Sequence, residues 1–170
     1  EEYNRLQAQF LEVTPVTQKN YYLDTPDFYL RQHKIAMRIR TFENSAELTI
    51  KIPQAVGNME YNQAISLEGA NHCLKECKLP QGMILDELLS RGISPSDWTV
   101  LGCLTTIRYE KETPIGLMAL DQSHYFDIVD YELELEVEDG KQGSLDFQEF
   151  LQVNEIHYKK APSKLVRFIE

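Results

Sequence analysis

The sequence contains only three cysteines, one tryptophan and no long hydrophobic run. Cys73, Cys77 and Cys103 are an odd number in a chain large enough to fold without disulfides, so we expect a reducing compartment and the cytoplasm as location. His72 precedes Cys73, but no second Cys or His pair follows at zinc-finger spacing, which excludes a zinc finger. Because no apolar stretch approaches the roughly 20 residues of a membrane span, we expect no membrane partner.

Positive charge is also scarce, with 17 Lys and Arg against 27 Asp and Glu and a net charge of −10. Binding to DNA or RNA is driven largely by clustered Lys and Arg, so nucleic acid is not an expected partner. The chain has no Gly-x-x-x-x-Gly-Lys segment, which excludes a P-loop nucleotide site. Any anionic ligand must therefore meet a local basic site. The oligomeric state is left open.

Alternation of apolar and polar residues dominates from Tyr21 onward and predicts strands. A hydrophobic content of 42% in 170 residues is enough for one domain, which we expect to span residues 1–170. The fold class is α+β and mainly β. Seven strands are predicted, at residues 19–24, 33–42, 46–52, 59–68, 100–111, 116–125 and 129–138.

Helical periodicity appears in four places. A short docking helix is expected over residues 1–12, and a helical insert containing Met83 to Leu89 ends at Gly92. Ser144 is the expected N-cap of a third helix, and a closing helix is expected over residues 163–170. These helices would flank the strands.

Charges of one sign recur at every second position on several strands. Arg38 and Arg40 must lie on one face of their strand, because side chains alternate between faces, and Met37 and Ile39 lie on the other. Four carboxylates of a later strand share a face in the same way; they are Glu132, Glu134, Glu136 and Glu138. Like charges stacked on one strand repel each other unless a partner or ligand relieves the repulsion.

Two interpretations of these rows remain open. The charges are either the solvated outside of an ordinary barrel, as in a lipocalin-like carrier with an apolar lumen, or the inside of a barrel whose apolar outer face packs against helices. On the second interpretation Arg38, Arg40, Lys51 and Arg108 form a cationic wall, and the carboxylate row lies opposite it. Guanidinium and ammonium groups neutralise a polyphosphate, whereas carboxylates hold Mg²⁺ or Mn²⁺.

Ordered motifs along nearly the whole chain resemble those of CYTH proteins, the triphosphate tunnel metalloenzymes. Their order and spacing, including eleven positions from Arg40 to Lys51, carry the resemblance. The motifs are Tyr21 to Pro26 (YYLDTP), Met37 to Arg40 (MRIR), Leu48 to Lys51 (LTIK), Leu120-Asp121, Tyr131 to Glu134 (YELE) and Ser163 to Leu165 (SKL). The resemblance implies an antiparallel eight-stranded β-barrel with a charged lumen, which binds triphosphate and Mg²⁺ or Mn²⁺.

Motif positions imply roles for individual residues. Phosphate binding falls to Arg38, Arg40, Lys51, Arg108 and Lys164. Metal binding falls to Asp121, Glu132 and Glu134, with Glu136, Arg167 and Glu60 as further candidates. No residue is assigned as a catalytic acid or base. The family's first strand, Glu-x-Glu-x-Lys, has no counterpart here. Either the protein has lost it and the tunnel is open, or, as we expect, it lies upstream of Glu1, beyond an incomplete N-terminus.

The expected function is metal-dependent hydrolysis of a triphosphate-containing small molecule. Inorganic tripolyphosphate, cleaved to pyrophosphate and phosphate, is the favoured substrate. A class IV adenylyl cyclase and a thiamine triphosphatase are enzymatic alternatives. A non-catalytic triphosphate-binding or polyphosphate-binding module is an alternative of a different class.

Overall fold

The strand alternation read from the sequence appears in the structure. A computed structural model, which describes residues 1–93 and 98–169, shows seven strands in an antiparallel sheet with helices beside it. The strands are β1 (Val16–Asp24), β2 (Ala36–Thr41), β3 (Ala46–Pro53), β4 (Asn58–Ile65), β5 (Thr99–Thr113), β6 (Gly116–Tyr125) and β7 (Ile128–Glu136). All seven predicted strands are confirmed, β6 with the predicted ends and the other six with one or both ends shifted.

Six α-helices accompany these strands in the described residues. They are α1 (Glu2–Gln7), α2 (Tyr29–Gln32), α3 (Leu67–Glu76), α4 (Met83–Ser90), α5 (Gly140–Val153) and α6 (Lys164–Ile169), and a short 3-10 helix at Ala8–Phe10 follows α1. No described helix has both the length and the apolar character that crossing a membrane requires. All three cysteines are free thiols.

Local capping explains where the predicted boundaries were wrong. The strand expected to reach residue 68 ends earlier, because Ser66 Oγ accepts a hydrogen bond from Gly69 N at 2.9 Å and starts α3. Helix α5 starts before Ser144, because the Asp139 side chain accepts from two backbone N–H groups at 3.0 and 3.1 Å. Neither α2 nor α3 was predicted.

The chain divides into two compact units, unit 1 of residues 1–17 and 106–170 and unit 2 of residues 18–105. Unit 2 has the strand order β4-β3-β2-β1-β5. Its core packs one sheet face against α3 and α4. Met37 and Ile39 are each 1% exposed there, and burial of such a side chain contributes about 1.5–3 kcal/mol.

Unit 1 has the strand order β5-β6-β7 and a smaller core. Met118 and Leu120 of β6 pack with Leu6 and Phe10 from the N-terminal helices, so the expected docking helix is confirmed. Partly buried Leu133 of β7 joins the same cluster. The alternate residues of β6 and β7 therefore lie on the opposite face of the sheet.

Helices cover the apolar sheet faces, so the charged rows lie on the faces that point away from these cores. Arg40 is only 14% exposed at its side chain, which contradicts the carrier-like alternative with its charges in bulk solvent. Seven strands are present among the described residues, and the eighth strand that the resemblance implies stays a prediction. In the strand order β4 and β7 are the terminal strands, so an eighth strand would have to come from a segment outside these seven.

Candidate active site

The register of the β6/β7 hairpin brings acidic residues of unit 1 together. Asp121 pairs with Glu132, and Ala119 pairs with Glu134. Because directly paired residues point to the same face, Asp121, Glu132 and Glu134 share one face. Leu133 lies between the two glutamates in sequence and points into the core instead. Strand alternation alone therefore separates the apolar and acidic side chains of β7.

Arg108 of β5 forms a two-pronged ion pair with Asp121. Its Nε donates to Oδ1 and its NH2 donates to Oδ2, both at 2.7 Å. The Asp121 side chain is 0% exposed and that of Arg108 is 16% exposed. Burial by itself would raise the pKa of Asp121, but the hydrogen bond from Arg108 and the charge of Lys164 lower it below its usual range. The aspartate is therefore ionised at neutral pH.

Lys164, the first residue of α6, lies among three carboxylates. Its Nζ is 2.8 Å from Asp121 Oδ2, 3.2 Å from Glu132 Oε2 and 2.6 Å from Glu134 Oε1. Burial would lower the pKa of Lys164, but the charges of Asp121 and Glu134 raise it. Burial would likewise raise the pKa of Glu134, yet Lys164 lowers it. Lys164, Asp121 and Glu134 are consequently charged near neutral pH.

Arg167 lies one turn beyond Lys164 and joins the same acidic row. Its NH1 is 3.3 Å from Asp130 Oδ2, and its NH2 donates to Glu132 Oε2. Asp130 also accepts a hydrogen bond from the Tyr125 hydroxyl. Asp130 was missed in the sequence, although it continues the two-residue spacing of Glu132 and Glu134 by one step. The spacing was the signal that could have found it.

In unit 2 a neutral side chain holds a second arginine. Arg40 Nε donates to Asn20 Oδ1 at 2.7 Å, and Arg40 NH1 is 3.7 Å from Glu47 Oε1. Asn20 is 1% exposed and donates its amide to the Leu104 carbonyl at 3.3 Å. The pairing of Asn20 with Arg40 in the β1/β2 register places both on the polar face. Sequence reasoning missed Asn20, because one amide on a strand is not a distinctive pattern.

The other predicted cations of unit 2 lie on the same sheet face as Arg40. Arg38 is half-buried beside Thr49 in the register, and its buried Nε has no hydrogen-bond partner among the described residues. Lys51 is more open, 47% exposed, and its nearest acid is Glu60 at 3.9 Å. Both cations therefore keep hydrogen-bonding capacity for a ligand.

Comparison with known proteins places the chain in a family. The family model of the CYTH domain matches residues 1–169. The chain belongs to the CYTH family. It is similar to a Bacillus subtilis (strain 168) protein named "Putative triphosphatase YjbK", with 37% identity over 162 residues that make up 95% of this chain and 84% of that protein.

Two solved structures resemble this CYTH chain over almost its whole length. A Bacillus halodurans protein described as "a putative adenylate cyclase" is 32% identical with a TM-score of 0.90, covering 99% of this chain and 91% of that one. HpAC1 from Hippeastrum, described as having "a dominant triphophatase activity", has a TM-score of 0.90 at 19% identity and covers 99% of this chain and 89% of that one. The second likeness supports the CYTH fold alone.

Enzymes of the CYTH triphosphate tunnel type are metal-dependent, so the carboxylates must be tested as ligands. Among the described residues no group of three or more His, Cys, Asp or Glu is arranged as a ready metal site. Glu132 and Glu134 nevertheless offer hard oxygen donors, and Glu132 Oε1 accepts no protein hydrogen bond in the described part of the chain. The carboxylate oxygens of these two glutamates are therefore the ligand type that a hard divalent cation prefers.

The remaining candidates are more exposed. Glu136 is exposed at the end of β7 and forms no ion pair with any described residue. Glu60 is 40% exposed at its side chain, on edge strand β4. The expected separation of a basic wall from an acidic wall is wrong within unit 1, because Arg108, Lys164 and Arg167 contact the carboxylates directly.

Proposed function

We propose that this CYTH protein is a metal-dependent triphosphatase that hydrolyses inorganic tripolyphosphate to pyrophosphate and phosphate. One observation carries the proposal: in unit 1, Arg108 and Lys164 contact the carboxylates of Asp121, Glu132 and Glu134 on one sheet face. Such a surface offers donors for phosphate oxygens and oxygen ligands for a metal. Similarity to a protein named as a triphosphatase supports the same function.

The phosphate-binding roles follow from the chemistry of the cations. Arg108 and Lys164 donate charge-assisted hydrogen bonds to phosphate oxygens, and Arg167 lies close enough to assist. In unit 2, Arg38, Arg40 and Lys51 have the same donor chemistry, and we assign them phosphate binding as well. Cations of this kind hold phosphate oxygens and stabilise the charge that develops on a leaving pyrophosphate, which is the main requirement of phosphoryl transfer.

Glu132 and Glu134 would hold the divalent cation, expected to be Mg²⁺ or Mn²⁺. When bound, such an ion neutralises phosphate charge and lowers the pKa of a coordinated water. The overall reaction adds water at a terminal phosphorus and breaks one phosphoanhydride bond. Pyrophosphate leaves with the bridging oxygen, and phosphate carries the oxygen of the attacking water.

Phosphate release tests the proposal. Full-length protein is assayed with tripolyphosphate, ATP and thiamine triphosphate, each with Mg²⁺ or Mn²⁺. Turnover of tripolyphosphate is expected, and Lys164→Met should reduce kcat/KM at least about tenfold because a charge-assisted contact is lost. Lys111→Met is the matched control, since Lys111 is a β5 lysine that pairs with Glu12 at 3.1 Å, away from this acidic row. Absence of turnover on all three substrates would overturn the proposal.

An adenylyl cyclase is the second candidate, favoured by the 32% identity to the Bacillus halodurans protein. The ATP assay separates the two activities, because a cyclase releases cyclic AMP and pyrophosphate, whereas a triphosphatase releases phosphate. A non-catalytic binding module would bind tripolyphosphate in calorimetry without releasing phosphate.

A further inference from the structure

Asp121 is poorly placed to ligate a metal ion, because its side chain is fully buried and three of its about four acceptor positions already meet cations. Its Oδ1 accepts from Arg108 Nε at 2.7 Å, and its Oδ2 accepts from Arg108 NH2 at 2.7 Å and lies 2.8 Å from Lys164 Nζ. The side chain is 0% exposed. A metal ligand needs both a free lone pair in the right direction and a path for the ion. Glu134, at 41% exposure, and Glu132, with its uncontacted Oε1, differ from Asp121 in this respect.

The contacts of Asp121 point to another task. A carboxylate that meets a guanidinium through two parallel hydrogen bonds fixes the plane of that group as well as its position. Arg108 therefore cannot rotate freely while the pair is intact, and Lys164 is held on the same aspartate. A phosphate-binding cation held in one geometry loses less entropy on meeting its ligand than a mobile one.

Resting on the proposed function, we infer that Asp121 is a positioning residue that orients Arg108 and Lys164 for the triphosphate, and that it does not ligate the metal. The metal then depends on Glu132 and Glu134. Asp121 acts through the two cations, so its loss should lower the affinity for triphosphate more than the affinity for the metal. This division separates two roles among carboxylates that look equivalent in the sequence.

Binding of tripolyphosphate in the absence of metal distinguishes a metal-ligand role of Asp121 from a positioning role. The two roles predict changes of opposite sign in the affinity of Asp121→Asn. If Asp121 is only a metal ligand, Asp121→Asn removes one negative charge and leaves metal-free affinity unchanged or stronger. If Asp121 positions Arg108 and Lys164, affinity by calorimetry should fall about tenfold or more, as for a lost charge-assisted contact. Glu110→Gln is the matched control: this carboxylate is 46% exposed at its side chain and lies 3.8 Å from Arg108, so its removal should not weaken binding.

A second measurement covers the case in which Asp121→Asn does not fold. Arg108→Gln with Asp121→Asn removes both charges together and leaves no unmatched charge between them. Mn²⁺ affinity of this double variant is compared with that of Arg108→Gln alone. Agreement within about twofold supports positioning, whereas any larger further loss of Mn²⁺ affinity counts Asp121 among the metal ligands and overturns it. In the same series Glu134→Gln should lose Mn²⁺ affinity.

Failure of this inference can be told apart from failure of the proposed function. Wild-type protein that neither binds nor hydrolyses tripolyphosphate disproves the triphosphatase and the inference with it. Wild-type protein that does both, while Asp121→Asn binds metal-free tripolyphosphate as well as wild type, disproves the positioning role alone. Kinetics add a third readout, since a positioning defect should raise KM for tripolyphosphate without changing the Mn²⁺ concentration needed for half-maximal rate.

Discussion

Arg108 in unit 1 and Arg40 in unit 2 occupy similar places on a polar sheet face, yet their partners differ. Arg108 forms an ion pair with the fully buried Asp121, whose Oδ1 accepts from Arg108 Nε at 2.7 Å. Arg40 is oriented by the neutral amide of Asn20 at the same distance, and its acid, Glu47, is 3.7 Å away. An amide fixes a guanidinium without cancelling its charge, whereas a carboxylate does both. The two units thus show two ways of holding a cation for an anionic ligand.

Removing each partner should give the largest contrast. Asp121→Ala removes the buried two-pronged partner of Arg108 and one of the carboxylate partners of Lys164, and should cost about 3–5 kcal/mol of unfolding free energy. Asn20→Ala removes the hydrogen bond that Asn20 accepts from Arg40 and the one that it donates to the Leu104 carbonyl, and should cost about 1–3 kcal/mol. Urea denaturation measures both. Equal losses in the two variants would show that charge does not distinguish the two arrangements.

The second-largest effect is expected from acid, which should lower the stability contributed by the ion pairs of Asp121 and Glu134. The pKa values of Asp121 and Glu134 are lowered in the folded protein, so their contribution is present above their unfolded pKa, near about 4, and is lost as pH falls through the folded values. Lys164 has a raised pKa, so its contribution is lost only as pH rises through that value, on the alkaline side. Stability should therefore be flat near neutrality and decrease below about pH 4.

Urea midpoints at pH 7 and pH 3 check this dependence. Asp121→Asn should show a smaller decrease between the two pH values than wild type, because one of the titrating carboxylates is gone. Glu149→Gln, at an exposed position of α5, serves as the control and should keep the wild-type decrease. A decrease that is unchanged in Asp121→Asn would contradict the assignment of acid sensitivity to this ion pair.

The smallest effect is expected when Asn20, the neutral partner of Arg40, is replaced by a charged residue. Asn20→Asp gives Arg40 a carboxylate partner like that of Arg108, so part of the charge available to phosphate is cancelled. Affinity for tripolyphosphate should fall several-fold, to about tenfold at most, while the urea midpoint does not decrease. Asn71→Asp, on an exposed position of α3, adds the same charge without contacting Arg40 and should leave affinity unchanged. Stronger binding by Asn20→Asp would contradict a phosphate role for Arg40.

Some features of this site could be predicted from alternation and some could not. The shared face of Glu132 and Glu134 follows from the two-residue repeat of a strand, and the register across β6 and β7 adds Asp121. The pairing of Lys164 with these acids was not predictable, because it depends on where α6 packs. Asn20 carried no signal at all, since its role exists only through the β1/β2 register and the Leu104 carbonyl.

The sequence by itself determined the strands, the separation of apolar from charged faces and, through ordered motifs, the CYTH family. These are local properties, because side-chain alternation depends on backbone geometry and motif order depends on the chain alone. Only the tertiary structure decided which charges meet. Ion pairs such as Arg108 with Asp121, and Lys164 with Glu134, join residues 13 and 30 positions apart. Contacts over such separations are set by strand register and helix docking. For this reason only the tertiary structure shows that the Asp121 carboxylate is buried in ion pairs while that of Glu134 is partly exposed.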